Sequence, residues 1–518
     1  SSSNTSGKGG EAQRGDGGGG GHRARGRMTT QRHVVVVGGG LVGGVAALAL
    51  ADQGFRVTLV ERRADALGRP DEDAGEMEVG RSADKSVLKR SINLALSHRG
   101  QAALQRVGVL DRAMATTLPM HGRAIHVDGK LMFQRYDETD HSNHINSISR
   151  EYLTRILLRK ASQHANVLVL CNKLLTHIDK HGVLHFVNTD TAAGGSYNDC
   201  SPGTFQLSQP DLVIGCDGAY SAVREAMMRL QTTNFERRYI SHSYKELTIR
   251  ADPKSNDYQL KPPHALHIWP RGEFMMIALP NLDRSFTCTV FAPTKELEAT
   301  STDDAAIEEY FAQNFAEVTQ YMPDYVEQFK SNPSCRLVMS KVDPWHTKVS
   351  GKTHVVLLGD AAHPMVPFYG QGMNAGMEDA LELSETLDRH GLDLDAAIAA
   401  FVESRMPRGN AIADLSLRNY VEMRSHTASR LFLLRKKIEG YINWLFPSAW
   451  VPIYKMVSFT RIPYDEAVRR EARQDLILRA ATTGVLSLGA LALAAGGYFV
   501  AQHRPLGLLA SHPWTRRS

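Results

Sequence analysis

Cysteine is scarce. The 518 residues hold five, at Cys171, Cys200, Cys216, Cys288 and Cys335. The number is odd and no pair has C-x-x-C spacing. A disulfide framework and a structural zinc site are therefore both unsupported, and a reducing compartment fits better. Surplus charge is scarce too, once it is located. The net charge is +5, but residues 1–32 carry +4 of it, from Lys8, Arg14, Arg23, Arg25, Arg27 and Arg32 against Glu11 and Asp16. The remainder is close to neutral, which argues against a basic nucleic-acid face. No internal repeat is visible. Residues 1–32 contain ten glycines and no apolar run. They lack an h-region, so they are not a secretory signal. They bury too little surface to offset their ordering entropy, and they are expected to be disordered. Their Arg and Ser content faintly resembles a transit peptide, without amphipathic periodicity to support one. Met28 is a candidate internal start.

What remains is ordinary globular composition, 42% apolar and 22% charged. The length suggests two or three domains. Ordered sequence begins at His33-Val-Val-Val-Val37, a continuously apolar run of the kind that a strand buried on both faces shows. Gly38-x-Gly40-x-x-Gly43 follows at once. An Ala- and Leu-rich helix runs from Val45 to Gln53, and a second strand from Arg56 to Val60 ends at Glu61.

That context turns a weak pattern into a dinucleotide fingerprint. Gly38 permits the turn, Gly40 lets backbone N–H groups approach a pyrophosphate at the helix N-terminus, and Gly43 allows close helix–strand packing. Glu61, 23 residues beyond Gly38, stands where a carboxylate accepts ribose hydroxyls.

Two further motifs follow. Asp211 to Arg224 reads as a strand ending in Asp217-Gly218 with a helix starting near Ser221. On its own this is a common turn. Val355 to Pro364 delivers Asp360 to a strand end, and Gly370-Gln-Gly-Met-Asn374 makes a turn able to offer N–H groups to a flavin ring. His363 on its own reads best as a structural histidine. Between these segments, Tyr239 to Pro293 changes to short strands, such as Ala265–Trp269 and Phe274–Leu279, as an inserted antiparallel sheet would. Arg62 to Lys89 is a charged, solvated loop.

Taken in order, the motifs resemble the single-component FAD-dependent aromatic hydroxylases. Arg90-Ser-Ile-Asn-Leu-Ala-Leu-Ser-His-Arg-Gly100, Leu266–Pro270, Met276–Asn281, Ser285 to Thr289, Asn419–Met423 and Met456–Arg461 resemble the branch of that family that acts on kynurenine. The likeness covers roughly residues 33–505. It departs from the family at Lys89, where a Gly is usual, and in a longer link between Glu61 and Arg90. Composition and spacing alone stop at an FAD oxidoreductase.

The resemblance implies an α/β fold: a Rossmann-like FAD domain interrupted by an antiparallel substrate sheet, then C-terminal helices and one transmembrane helix. The expected limits are 33–238 and 346–400 for the FAD domain, 239–345 for the sheet, 401–479 for the helices, 480–501 for the anchor and 502–518 for a tail. It implies FAD contacts at Val42, Glu61, Arg63, Ala95, Arg150, Leu175, Asp360, Met373 and Asn374, with Asp217 serving FAD and NADPH together.

It implies a substrate carboxylate site at Arg123, within Pro119-Met-His-Gly-Arg123, with Tyr136, Asn419 and Tyr454, and Phe368 on the wall beside the flavin. An amino-acid carboxylate entering an apolar pocket needs a fixed cation and hydroxyl donors, which Arg and Tyr supply. The implied reaction takes L-kynurenine, NADPH and O2 to 3-hydroxykynurenine through a flavin C4a-hydroperoxide. No protein nucleophile and no metal is assigned. Rival readings are a related hydroxylase acting on another ring, such as a quinone-pathway enzyme, and a membrane-tethered flavoprotein without turnover.

Ala480 to Ala501 is 22 residues without a charge. A helix of that length spans about 33 Å, enough for a hydrocarbon core of about 30 Å. A buried core helix is the alternative. Arg469, Arg470, Arg473 and Arg479 precede the segment and 17 residues follow it. The family resemblance implies the mitochondrial outer membrane, with the catalytic domain facing the cytosol.

Overall fold

A computed structural model describes residues 31–68, 93–127, 129–137, 140–189, 200–425 and 430–502. The expected disorder of residues 1–32 lies outside those ranges except at 31 and 32, as do most of the charged loop at 62–89 and all of the expected tail at 502–518 but residue 502.

The FAD-type half is built on a six-stranded sheet. Its order is His346–Val349, Thr353–Leu357, Leu212–Gly215, His33–Val37, Arg56–Val60 and Val167–Leu170. All neighbours are parallel except the first pair. Val34, Val35 and Val36 are fully buried, which explains an apolar run with no alternation. Helix Leu41–Asp52 lies on this sheet and is apolar nearly all round, as a helix covered on several sides is. The Val34–Gly215 register puts the ends of three strands, at Val37, Gly215 and Leu357, side by side. A doubly wound sheet binds its ligand at that edge.

The second sheet has seven strands. Cys335–Asp343, Asn234–Ile249, Phe286–Pro293, Phe274–Pro280 and Leu266–Arg271 form its antiparallel part. Two strands from earlier in the chain then join it, Gly122–Val127 and Lys130–Arg135. The sequence places the sheet at 239–345. The structure recruits residue 123 into it by a parallel pairing of Leu266 with Arg123, and such long-range pairing leaves no local pattern to read. The consequence is that Arg123, expected at the substrate carboxylate, is carried on this second sheet. A small sheet of Asn93–Leu96, Ile145–Ser149 and Leu118–Met120 bridges the two halves.

The C-terminal helices include Leu394–Ser425, Ile453–Phe459 and Tyr464–Gln502. The last is one continuous helix of 39 residues. Its most apolar 18-residue window has mean hydropathy 1.7, and none of that window is buried, so the core-helix alternative does not hold.

Within the substrate sheet, His267 is wholly buried. Its Nε2 meets the carbonyl of Pro262 at 2.9 Å and its Nδ1 meets Nε2 of His126 at 2.9 Å. The carbonyl only accepts, so Nε2 carries the proton and Nδ1 accepts from His126. Burial lowers both pKa values to about 4, from an ordinary 6.5. A proton taken up in the unfolded chain below 6.5 is refused by the folded one until about 4. This stability is therefore present above 6.5 and lost as pH falls. His267 alone should remove about 2 kcal/mol at about pH 5. Thermal denaturation at about pH 7 and about pH 5 checks this. His267→Gln should show the smaller acid loss, and equal losses in both proteins would refute the account.

Candidate active site: an FAD cleft facing an arginine–tyrosine pocket

The cofactor half begins at Gly38, whose φ of +105° is a region that favours glycine. A Cβ on Gly43 would lie 1.9 Å from the Gly38 carbonyl oxygen, so only glycine lets the helix approach so closely. Gly40 has no neighbour within 4 Å of its missing side chain, which leaves an open cradle at the helix N-terminus. The geometry fits a pyrophosphate there. Glu61 is buried, and its Oε2 accepts from the Gly39 N–H at 2.7 Å. Its Oε1 accepts from the Arg63 backbone at 3.0 Å and side chain at 2.8 Å. The carboxylate is thus fixed beside the glycine turn with lone pairs remaining for ribose hydroxyls.

Val42 ties this turn to the third motif. A Cβ added to Gly359 or Gly376 would come within 3.0 or 2.7 Å of Val42 Cγ2. Asp360 follows Gly359 in a 3-10 turn. It is open to solvent yet surrounded by protein, as a residue in a cleft is. Burial among those groups raises its carboxyl pKa, and Arg150 opposes the rise.

Asp217 caps the helix Ala222–Leu230, its Oδ2 accepting from Ala222 at 2.7 Å and Val223 at 3.1 Å. Its Oδ1 is buried without a partner, and burial raises its pKa. An orphaned acceptor there suits a hydroxyl donor from a ligand.

Asn374 is wholly buried and its side chain is fully engaged. Its Oδ1 accepts from Ser97 N–H at 2.9 Å, and its Nδ2 donates to Ala95 O and Gly370 O, each at 2.8 Å. Asn374 therefore positions the Gly370 turn. Both of its side-chain N–H groups are used within the protein, and backbone N–H groups of the turn can serve a ligand. Met373 is half-buried next to it, and Leu175 is buried in the strand Lys173–Ile178.

Three of the residues expected on the substrate side, Arg123, Tyr136 and Tyr454, converge. The Arg123 guanidinium lies 4.7 Å from the Tyr454 ring centre and 5.8 Å from that of Tyr136. The two tyrosine rings stack at 5.4 Å, and Tyr369 stacks on Tyr454 at 5.7 Å. Burial disfavours the Arg123 cation, but Tyr454 and Tyr136 outweigh it and push its pKa up. Burial also raises the Tyr136 phenol well above its ordinary range, with Arg123 opposing. Arg123 Nε is buried without a hydrogen-bond partner, and no carboxylate pairs with Arg123 among the described residues. A half-buried cation whose Nε is wholly shielded lacks its anion there.

Phe368 forms an aromatic wall, with Tyr420 stacked at 4.1 Å and Phe291 at 4.8 Å. Asn419 Nδ2 donates to the Phe368 carbonyl at 2.7 Å, so it holds this wall in place. Leu266 and Ile277 pack against both the wall and the tyrosine group. Ala95 packs with the tyrosine group too, and a Cβ on Gly370 would lie 3.3 Å from it. The pocket therefore abuts the Gly370 turn of the cofactor half.

His363 is structural, its Nε2 2.7 Å from Asp379 and its ring 5.0 Å from Trp345. Tyr369, Tyr420 and Phe459 were not singled out from the sequence. Tyr369 and Tyr420 each adjoin a residue that was, and that adjacency was the available signal.

An open glycine cradle, a fixed acid beside it and an apolar pocket across the cleft define the class of FAD-dependent oxygenases. Comparison agrees. The FAD binding domain family matches residues 31–416. The Anopheles gambiae protein "Kynurenine 3-monooxygenase" is 38% identical over 444 residues, 85% of this chain and 84% of that one. The Sus scrofa protein of the same name is 38% identical over 446 residues, covering 85% and 87%. A solved structure of 2-methyl-3-hydroxypyridine-5-carboxylic acid oxygenase aligns over 78% of this chain and 95% of its own, with TM-score 0.57 and 21% identity, and so shares the fold. The chain belongs to the kynurenine 3-monooxygenase family.

Proposed function

We propose that the chain hydroxylates L-kynurenine to 3-hydroxykynurenine, with NADPH as reductant and O2 as oxygen source. The single observation that carries the reading is Arg123, a half-buried cation with a buried, unpartnered Nε and two flanking phenols. The substrate carboxylate supplies the missing anion, and the phenols of Tyr136 and Tyr454 donate to its oxygens. The aniline ring then extends over Ala95 toward Phe368. Bound FAD would take electrons from NADPH and activate O2 beside that ring. The Gly38–Gly43 cradle with Glu61 and Asp360 holds the dinucleotide, and Asp217 offers its free oxygen to it. The substrate's amino group activates the adjacent ring carbon, so no protein nucleophile is required. The apolar wall of Phe368, Tyr420 and Phe291 keeps water from the reacting ring. Helix Tyr464–Gln502 anchors the protein in a membrane. The mitochondrial outer membrane, with the catalytic body in the cytosol, belongs to the same proposal and rests on the family resemblance.

The test is NADPH oxidation with and without kynurenine, with the product identified. Kynurenine should accelerate oxidation and yield 3-hydroxykynurenine. Acceleration by another aromatic compound and not by kynurenine would favour a different ring. Arg123→Ala should raise KM for kynurenine about 10–150-fold through loss of about 1.5–3 kcal/mol of charge-assisted bonding, while FAD stays bound. Lost flavin with unchanged KM would move Arg123 out of the substrate site.

A further inference from the structure

We infer that the ion pair of Asp137 with Lys455 is a latch that sets the position of Tyr454 over Arg123 and closes the substrate pocket. The inference rests on the substrate reading above.

The pair sits one residue along the chain from each of the two pocket tyrosines. Asp137 follows Tyr136, and Lys455 follows Tyr454. Lys455 Nζ lies 2.7 Å from Asp137 Oδ2, with side-chain exposures of 22% and 2%. Such shielding makes the pair stronger than an open surface bridge. The bond therefore joins the same two segments whose phenols flank the guanidinium. One directly follows the strand Lys130–Arg135 of the second sheet and the other lies in the C-terminal helices.

The two partners are held unequally. Asp137 is fixed from its own side: Oδ2 also accepts from Asn143 Nδ2 at 2.8 Å, and Oδ1 from the Asp140 N–H at 3.1 Å. Lys455 rides on a seven-residue helix, Ile453–Phe459. The far end of that helix is secured by Arg99, whose Nε donates to the Val457 carbonyl at 3.0 Å. The near end, which carries Tyr454, is tied by the ion pair, by Gln474 Nε2 donating to the Val451 carbonyl at 3.2 Å and by the Tyr369 ring stacked on Tyr454. A short helix has little stability of its own, so its position follows its tertiary ties. Without the latch, the Tyr454 end loses its charged tie and lifts more readily from Arg123, while the Arg99 end keeps its own.

The chemical consequence is loss of coupling. When the pocket is not closed, water reaches the reaction and NADPH is spent without hydroxylation. The balance is NADPH, O2 and one proton giving NADP+ and hydrogen peroxide, with both electrons of NADPH ending on oxygen. Asp137 and Lys455 are thus positioning residues that act through Tyr454.

The test uses the full chain in detergent, loaded with FAD. Lys455→Met should raise KM for kynurenine roughly tenfold, the size of coupling lost when contacting residues part. It should also raise the fraction of NADPH recovered as hydrogen peroxide. Lys455→Arg keeps the charge and should stay near the parent on both readouts. Asp137→Asn should behave as Lys455→Met does, and the double variant should be no worse than either single one. Hydrogen exchange reads the latch without substrate: amides of Ile453–Phe459 should exchange about tenfold faster in Lys455→Met. If Lys455→Met lowers Tm but leaves KM, peroxide yield and that exchange unchanged, the pair is merely structural and the inference is wrong. Additive effects in the double variant would also overturn it. A parent protein that yields no hydroxykynurenine would sink the substrate reading instead, and the exchange measurement would still decide the latch.

Discussion

Arg405→Met should destabilise the protein by about 3–5 kcal/mol and release its flavin, because it strands buried carboxylates. Arg405 is fully buried. Its Nε lies 2.6 Å from Asp379, and its Nη1 lies 3.0 Å from both Glu378 and Glu382. Its Nη2 donates to the Ala375 carbonyl at 2.9 Å. Burial alone would raise the Asp379 pKa, but His363 and Arg405 outweigh it and hold the carboxyl below its ordinary value. Removing Arg405 leaves Asp379 with His363 and the Gly359 N–H, and leaves Glu378 with Arg99.

The damage should extend to the cofactor. Asp379 Oδ2 accepts from Gly359 N–H at 2.7 Å and so fixes the turn that presents Asp360. Thermal unfolding followed by the fluorescence of released flavin reads both effects together. Parent-like Tm and FAD content would refute the account. Hydrophobic replacement of the whole charged set is a different experiment, and well-packed apolar substitutes are often neutral there.

Deleting residues from Ala480 onward should move the protein from the membrane pellet to the soluble fraction while leaving FAD bound. The segment is long enough to span, and its apolar window is unburied. The cut spares the helix's contacts with the body. Tyr464 and Ala467 are buried in a core with Ile412, Met456 and Val457. Gln474 Nε2 donates to the Val451 carbonyl at 3.2 Å, and Asp475 pairs with Arg435. All of these lie before Ala480. A truncated chain that still pellets and resists carbonate extraction would place the anchor elsewhere.

Sequence and structure divide the information unevenly. The glycine turn and Glu61 were legible because one βαβ unit contains them, and local spacing dictates their geometry. Arg123, Tyr136 and Tyr454 lie on three separated segments. Periodicity had nothing to say about their meeting, and the family motif carried that expectation. The second sheet was legible over its antiparallel strands, which the sequence shows as short apolar runs such as Phe274–Leu279. It was not legible at Gly122–Arg135, which joins through one parallel edge. Arg405 and its acids were invisible for another reason. A charged residue in a helix reads as solvated until a second helix covers it. Asn374 and Asn419 were expected to touch ligand. In the structure the side chain of each donates to a backbone carbonyl, one holding the Gly370 turn and the other the Phe368 wall.

The uninterrupted helix from Tyr464 has a mechanical consequence. Its root is gripped: the Tyr464 hydroxyl bonds Gln371 at 3.2 Å, and Arg99 lies 3.9 Å over its ring. The grip continues to Gln474 and Asp475, so about 8 Å of helix, at about 1.5 Å per residue, separates the last of these contacts from Ala480. A flexible tether would let the body tumble against the lipid surface. A stiff mast does not. In the proposed membrane setting the body rides at a fixed height and tilt, so its search is two-dimensional while the cleft samples only the solution layer above the headgroups. Inserting a few glycines between Arg479 and Ala480 would turn the mast into a tether without touching a single residue of the pocket.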